Sequence, residues 1–206
     1  MSPYRLSNYG KISSDTIKYR GAIAGNIGRY AGVLLVGNNG TPYSTTYAWS
    51  NLTGFGAKAG NPDTLPGGRV REIDSSGSAL FYATEGSSPY LFAYTMLGGP
   101  NTKYANPSTL PTFYSNGVSY NSTAAALAVA NYSSPYVLVY AWSAAGFGAK
   151  YSDPASLPGT QGLSVRFNNA GTALAVEHLT SPYISVYNWS SGFGSKFSDT
   201  ATLPPN

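Results

Sequence analysis

The amino-acid sequence predicts an all-β protein, a β-propeller of about four four-stranded blades with a short N-terminal extension. A unit of 46 or 47 residues recurs along the chain, its segments alternate apolar and polar residues as strands do, and turn-forming residues separate them. Aromatic residues make up 14% of the 206 residues and charged residues 10%, a balance that favours a folded core over disorder.

Short motifs mark the repeat. A Pro-Tyr dipeptide recurs with its tyrosines 47, 46 and 47 residues apart, and a Leu-Pro dipeptide closes each unit. Gly-Phe-Gly, a small residue and a lysine follow one another in three of the four units. These landmarks keep one order and phase, which excludes chance similarity. The predicted blades cover about 20–66, 67–111, 112–158 and 159–206, after an N-terminal extension at 1–19.

Each unit contains four predicted strands, which the last unit shows best. The segment SVRFNNAGT is a strand followed by an Asn/Gly-type turn, and ALAV is a second strand whose small residues suit burial on both faces. In the third strand, Tyr187 and Trp189 share one face, with Ile184 and Val186 on the other. The Gly-Phe-Gly run gives a fourth, edge-like strand.

The composition leaves little for catalysis. The absence of cysteine excludes disulfides, thiolate zinc sites and cysteine nucleophiles, and the chain holds one histidine and eight acidic residues. His178, beside Glu177, has no serine-nucleophile motif near it and is interpreted as a packed or surface side chain. The sequence therefore predicts no enzyme activity, no cofactor and no metal. No apolar stretch approaches the roughly 20 residues of a spanning helix, so no membrane partner is predicted.

Positive charge is concentrated at the start of the chain. The net charge of +4 comes from residues 1–29, and the rest of the chain is neutral. These cations are too few for the basic stripe that binds a phosphate backbone, so no nucleic-acid partner is predicted. Residues 1–19 form either an extended arm or a truncated half-blade. The candidate assembly arm is carried by Arg5, Lys11, Lys18 and Arg20.

The tyrosines of the Pro-Tyr motif are candidate contacts with a ligand. Tyr43, Tyr90, Tyr136 and Tyr183 would place one aromatic side chain per blade at one end of the propeller, where rings can stack on sugars. Alternatively, each tyrosine packs against the neighbouring blade. The presence of the motif in every unit favours this second interpretation, because packing requires repetition and a binding site usually requires asymmetry.

The second unit departs most from the repeat. Arg71 is aligned there with Val118 and Val165 of the later units, and with Glu72 and Asp74 it forms a cluster of charges. On a strand, Glu72 and Asp74 point to the same face and Arg71 to the other. Either these charges contact a ligand or partner, for which Arg71 is the candidate, or they are solvated at a strand end.

The blade pattern resembles the WD40-like propeller repeats of tailed-phage virion proteins and some bacterial proteins. The segments GLSVRFNNAGTALAV and TSPYISVYNWSSGFGSKFSDTATLP carry the resemblance best, although the Trp-Asp ending of WD40 blades is absent. The resemblance implies a virion component, a head decoration or tail-associated protein whose partners are other virion proteins. It implies no catalytic residues.

Four blades lie at the low end of the propeller range. Either they close into a ring within the chain or neighbouring copies complete it, so a homo-oligomer is one expectation. The leading functional hypothesis is a structural virion protein that mediates protein–protein assembly. The alternative is a lectin-like propeller that attaches to surface glycans, outside the cell or at its surface.

Overall fold

A computed structural model describes residues 16–19, 23–26, 32–50, 52–96 and 100–202. Every regular element in these residues is a β-strand. In the same stretches, no helix has the length and apolar character needed to cross a membrane. The predicted all-β class is confirmed.

The strands form four sheets, one per repeat, called blades 1 to 4. Blade 1 contains β1 (Thr16–Tyr19), β2 (Ile23–Asn26), β3 (Gly32–Gly37), β4 (Ser44–Ser50) and β5 (Gly54–Lys58). Blade 2 contains β6 (Val70–Ser75), β7 (Ala79–Thr84), β8 (Leu91–Met96) and β9 (Pro100–Lys103). Blade 3 contains β10 (Ser115–Asn121), β11 (Ala126–Asn131), β12 (Val137–Ser143) and β13 (Gly146–Lys150). Blade 4 contains β14 (Gly162–Phe167), β15 (Ala173–His178), β16 (Ile184–Trp189) and β17 (Phe193–Lys196).

Within each blade, consecutive strands pair antiparallel, so the order of strands follows the chain. Blade 1 has a fifth strand because β1 pairs with β2. One four-stranded meander per repeat is the arrangement of propeller blades. The β-propeller of four blades is therefore confirmed, including the edge strand formed by each Gly-Phe-Gly run.

Neighbouring blades pack through two different faces. One face of each inner blade is rich in alanine and is called the alanine-rich face. The opposite face carries larger side chains, including a buried tyrosine, and is called the tyrosine face. In blade 3 the alanine-rich face consists of Ala126, Ala128, Ala130, Val137 and Val139. It packs against the tyrosine face of blade 4, formed by Val165, Leu174, Val176, Tyr187 and Trp189. None of these side chains is more than 3% exposed, so this junction is a hydrophobic core.

The first strand of each later blade contains a β-bulge near its start. A bulge adds one residue to a strand and so interrupts the alternation of its faces. In β6 the bulge includes Arg71. Ile73, and not Arg71, pairs with the second strand at the repeat position where Val118 and Val165 pair in the later blades. The predicted alignment of Arg71 with the two valines is therefore wrong by two positions.

The blades pack in chain order as an arc. β2 packs on β6, β6 on β10 and β10 on β14, whereas no extensive packing joins blade 4 to blade 1 among the described strands. The exposure of side chains on blade 4 agrees with this lack of packing. Ile184 of blade 4 is 37% exposed, although Val137 at the same repeat position of blade 3 is fully buried.

Candidate functional site

The Pro-Tyr motif forms the same turn in every blade. A cis peptide bond precedes each proline, and each following tyrosine has a left-handed backbone with φ between 60° and 70°. The N–H of Tyr136 donates to the carbonyl of Ser133 (2.9 Å), and the N–H of Asn131 donates to the carbonyl of Tyr136 (2.8 Å). Tyr43 and Tyr183 make the same two bonds. The motif thus closes the hairpin between the second and third strands, which supports an architectural role for its backbone.

The side chains of the four predicted tyrosines are half-buried but differ in their contacts. Tyr43 packs against the core between blades 1 and 2. Tyr90 instead contacts the rings of Phe113 and Tyr114, which lie in the linker before blade 3. The other two tyrosines have no ring contact with any described residue. The structure therefore does not bring the four side chains together as one site.

Tyr90 belongs to a group of four rings, Tyr90, Phe113, Tyr114 and Tyr132, here called the aromatic cluster. Ring centroids lie 4.2 Å apart for Phe113 and Tyr114, 5.2 Å for Phe113 and Tyr132, and 6.2 Å for Tyr90 and Phe113. The N–H of Tyr132 donates to the carbonyl of Tyr114 (2.9 Å), which ties the hairpin of blade 3 to the linker. Tyr132 is 45% exposed and the others are half-buried, so the cluster faces solvent.

Two rings of the aromatic cluster have no aromatic counterpart in blades 2 and 4. By the strand registers, Tyr114 and Tyr132 correspond to Arg69 and Glu85 in blade 2 and to Gln161 and Leu179 in blade 4. Architecture common to the blades does not require these rings, so the cluster is the strongest candidate for a site specific to this chain. Sequence reasoning missed three of its members because they lie outside the Pro-Tyr motif, although comparing the units position by position would have found them.

Arg71 is engaged within its own blade. Its guanidinium pairs with the carboxylate of Glu85, which Arg69 also approaches at 3.4 Å. Glu85 follows β7 at the same hairpin as Tyr90, so these charges lie at the end of the arc that carries the aromatic cluster. Arg69, with a side chain that is 50% exposed, is the more accessible cation of the pair.

Glu72 and Asp74 lie at the junction of blades 2 and 3. The N–H of Val118 donates to Oε2 of Glu72 (3.2 Å), and the N–H of Tyr120 donates to Oδ2 of Asp74 (2.8 Å). The two carboxylates share a face, as predicted. The interpretation that they are solvated at a strand end is wrong, because both satisfy backbone donors of the next blade and Asp74 is only 4% exposed.

Two blade faces have no covering blade among the described residues. The alanine-rich face of blade 4 includes Ala173, Ala175, Ile184 and Val186, all partly exposed, and Glu177 stands on it at the repeat position of Ala130. At the other end of the arc, the tyrosine face of blade 1 includes Tyr47, which is half-buried where Tyr140 of blade 3 is fully buried. The arc therefore ends in two faces of the kinds that pack together inside it.

The predicted assembly arm lies largely outside the described residues. Arg5, Lys11 and Arg20 lie outside the described residues. Lys18 lies in β1, opposite Ala24 of β2. The role of the arm stays a prediction.

His178 has a serine partner that the sequence did not reveal. Its Nε2 lies 3.0 Å from Oγ of Ser185 on the adjacent strand. Burial lowers the pKa of His178, opposed by a backbone hydrogen bond with Thr180. Both side chains are at most 2% exposed and lie on the tyrosine face of blade 4. In this structure, therefore, the pair does not open to solvent.

No protein-family model matches the chain, and no curated protein matches it in sequence. The fold is similar to the crystal structure of a putative 6-phosphogluconolactonase from Bacteroides uniformis, with a TM-score of 0.61 at 9% sequence identity. The match covers 82% of this chain but 53% of that one, so this chain spans about half the length of its neighbour. Hydrazine synthase of Kuenenia stuttgartiensis matches with a TM-score of 0.48 and 16% identity, over 70% of this chain and 39% of the other.

This comparison overturns one prediction. The sequence predicted that the chain is not an enzyme, whereas the fold is shared with a protein whose name describes an enzyme. The prediction rested on scarce catalytic residue types, and one fold accommodates many chemistries built from different residues. Similarity at 9% identity shows the fold alone and assigns no activity to this chain.

Proposed function

We propose that this chain is a structural protein that works through protein–protein contacts, in which the alanine-rich face of blade 4 packs on the tyrosine face of blade 1 of a second copy. A head-to-tail contact of this kind is heterologous, so it generates a closed ring or an extended array. The observation that carries the proposal is the exposure of a face whose counterpart inside the chain is a hydrophobic core.

The alanine-rich face supports this role by its composition. Ala126 and Ala128 of blade 3 are fully buried under blade 4, while Ala173 and Ala175 occupy the same positions on blade 4 and remain partly exposed. Removing apolar surface from water stabilises a contact by roughly 25 cal/mol per Å². A second copy would bury this surface in the way blade 4 buries blade 3.

The tyrosine face of blade 1 supplies a matching surface. Tyr47 pairs with Leu34 across β3 and β4, as Tyr140 pairs with Leu127 in blade 3. Tyr140 is buried against the alanine-rich face of blade 2. The packing inside the chain therefore supports a second copy as the partner.

The setting we propose is a virion, where the chain would be a head-decoration or tail-associated protein with other virion proteins as partners. The support is the resemblance of the blades to phage propeller repeats, together with a sequence that is rich in tyrosine and poor in charge. Tyrosine contributes a large contact area with little side-chain entropy to lose. Mass spectrometry of particles purified from the source organism tests this setting, and absence of the chain from intact particles would contradict it.

Light scattering of the purified protein tests the head-to-tail contact. We expect an oligomer for the natural sequence and a monomer for Ala175→Asp, because the carboxylate would be buried unpaired at the contact. Ser191→Asp, an exposed position of the same blade, is the control that should leave the mass unchanged. Ala128→Asp, at the same repeat position as Ala175, should instead destabilise the fold. A natural protein that is monomeric at all concentrations would overturn the proposal.

A further inference from the structure

We infer that the aromatic cluster is a carbohydrate-binding site that takes a pyranose ring of a polysaccharide. It lies at the end of the arc formed by hairpins and linkers, away from the blade faces, so it does not depend on the head-to-tail contact. The cluster is preorganised. Four rings are already packed together, and the hydrogen bond from Tyr132 to Tyr114 fixes the two loops that carry them. A site formed before binding loses less entropy when the ligand arrives.

The chemistry of the rings in the cluster suits a sugar. The faces of tyrosine and phenylalanine are apolar and stack on flat, weakly polar surfaces, while phenol hydroxyls donate and accept hydrogen bonds. In the part of the chain that the structure describes, the hydroxyls of Tyr90, Tyr114 and Tyr132 have no hydrogen-bond partner. A sugar presents an apolar ring face surrounded by hydroxyl groups, and it therefore fits both properties of the cluster.

The charges beside the cluster favour a sugar over a nucleic acid. Single-stranded nucleic acids also stack on aromatic side chains, but their backbone requires a positively charged groove beside the rings. Here the charged groups at the same hairpin are Arg69, Arg71 and Glu85, and both arginines already contact the carboxylate. A single residual positive charge does not form such a groove.

The cluster occurs only once among the described residues. Leu179 of blade 4 stands at the position of Tyr132 and is 55% exposed, so the repeat does not require a ring there. The sequence predicts candidate sugar contacts at all four Pro-Tyr tyrosines. The structure instead favours one local site that includes only Tyr90 of that set, together with Phe113, Tyr114 and Tyr132.

Isothermal titration with cellohexaose, maltohexaose, mannohexaose and polygalacturonic acid tests the inference. We expect saturable binding of at least one of these probes, weakened about tenfold or more by Tyr132→Ala, since stacking on one ring accounts for a change of that order. Tyr132→Phe keeps the ring and should weaken binding less. Leu179→Ala is the matched control, and its affinity should equal that of the natural protein.

The inference would be overturned by the absence of saturable binding for every probe, or by equal affinity for Tyr132→Ala and Leu179→Ala. Capture of a purified protein at the cluster without sugar binding would also overturn it and would make the cluster a protein-docking surface. The Ala175→Asp variant should bind the sugar as the natural protein does. Sugar binding would therefore be measurable even if the head-to-tail contact does not form, so the two proposals can be tested separately.

Discussion

Arg166 of blade 4 reaches past blade 3 and forms an ion pair with Glu72 of blade 2, 94 residues earlier in the chain. The same guanidinium donates to the carbonyls of Val118 (2.7 Å) and Val165 (2.9 Å). Glu72 in turn accepts the N–H of Val118. One side chain thus connects the first strands of three consecutive blades, and the charges of blade 2 are part of the packing of the arc.

Replacing Arg166 should destabilise the protein. Arg166→Met keeps the aliphatic stem but removes the ion pair and two hydrogen bonds, so we expect the free energy of unfolding to fall by about 1–3 kcal/mol. Urea denaturation measures this change. Arg69→Met is the matched control, because its pair with Glu85 is longer and its side chain is half-exposed. A surface pair of that kind contributes less than about 1 kcal/mol. Equal losses in the two variants would contradict the bridging role of Arg166.

His178 should make stability depend on pH. It is the only histidine, and burial lowers its pKa below the ordinary value of 6.5. The unfolded chain therefore binds a proton at a higher pH than the folded chain does. The free energy of unfolding therefore has its full value above about pH 7 and falls as the pH drops through 6.5. For one proton the slope is at most about 1.4 kcal/mol per pH unit. Urea unfolding at pH 8, 7, 6 and 5 measures this slope.

The control for this prediction comes from the repeat itself. Asn131 occupies the position of His178 in blade 3 and is fully buried, so His178→Asn should fold. This variant lacks the imidazole and should lose less stability between pH 7 and pH 5 than the natural protein. Identical pH profiles would show that His178 is not responsible.

The strands could be predicted from the sequence because each unit repeats its own periodic pattern. Tyr187 and Trp189 lie on one face and pack against blade 3, while Ile184 lies on the opposite face, as alternation along the strand requires. The alignment of Arg71 failed because the hairpin between β6 and β7 is two residues shorter than its counterparts. Ile73 pairs with Tyr82, nine positions later, whereas Val118 pairs with Val129, eleven positions later. A constant repeat spacing gives no warning of a shortened turn.

The aromatic cluster could not be predicted from motif spacing. Tyr114 and Tyr132 are 18 positions apart, and they meet because the hairpin of blade 3 folds back on its linker. The lack of extensive packing between the described strands of blades 4 and 1 was also beyond the sequence, since blades 3 and 4 share one repeat pattern. Alanine at 175 resembles alanine at 128, and only packing distinguishes an exposed face from a buried one.

The buried tyrosines of blades 3 and 4 provide a matched pair for a final prediction. Tyr187 donates from its hydroxyl to the carbonyl of Ser156 (2.8 Å), whereas the hydroxyl of Tyr140, at the same repeat position, is buried with no hydrogen-bond partner among the described residues. Burial accordingly raises the pKa of Tyr140. Removing a bonded hydroxyl costs stability, while removing an unsatisfied one does not.

We therefore expect Tyr187→Phe to lower the free energy of unfolding by about 1 kcal/mol and Tyr140→Phe to leave it unchanged or raise it. Each substitution removes one oxygen atom and keeps the ring, so the hydrophobic contacts of the two blade junctions are preserved. Urea denaturation of both variants under one condition measures the difference. A larger loss for Tyr140→Phe than for Tyr187→Phe would mean that the Tyr140 hydroxyl has a partner, such as a buried water, which the protein needs for folding.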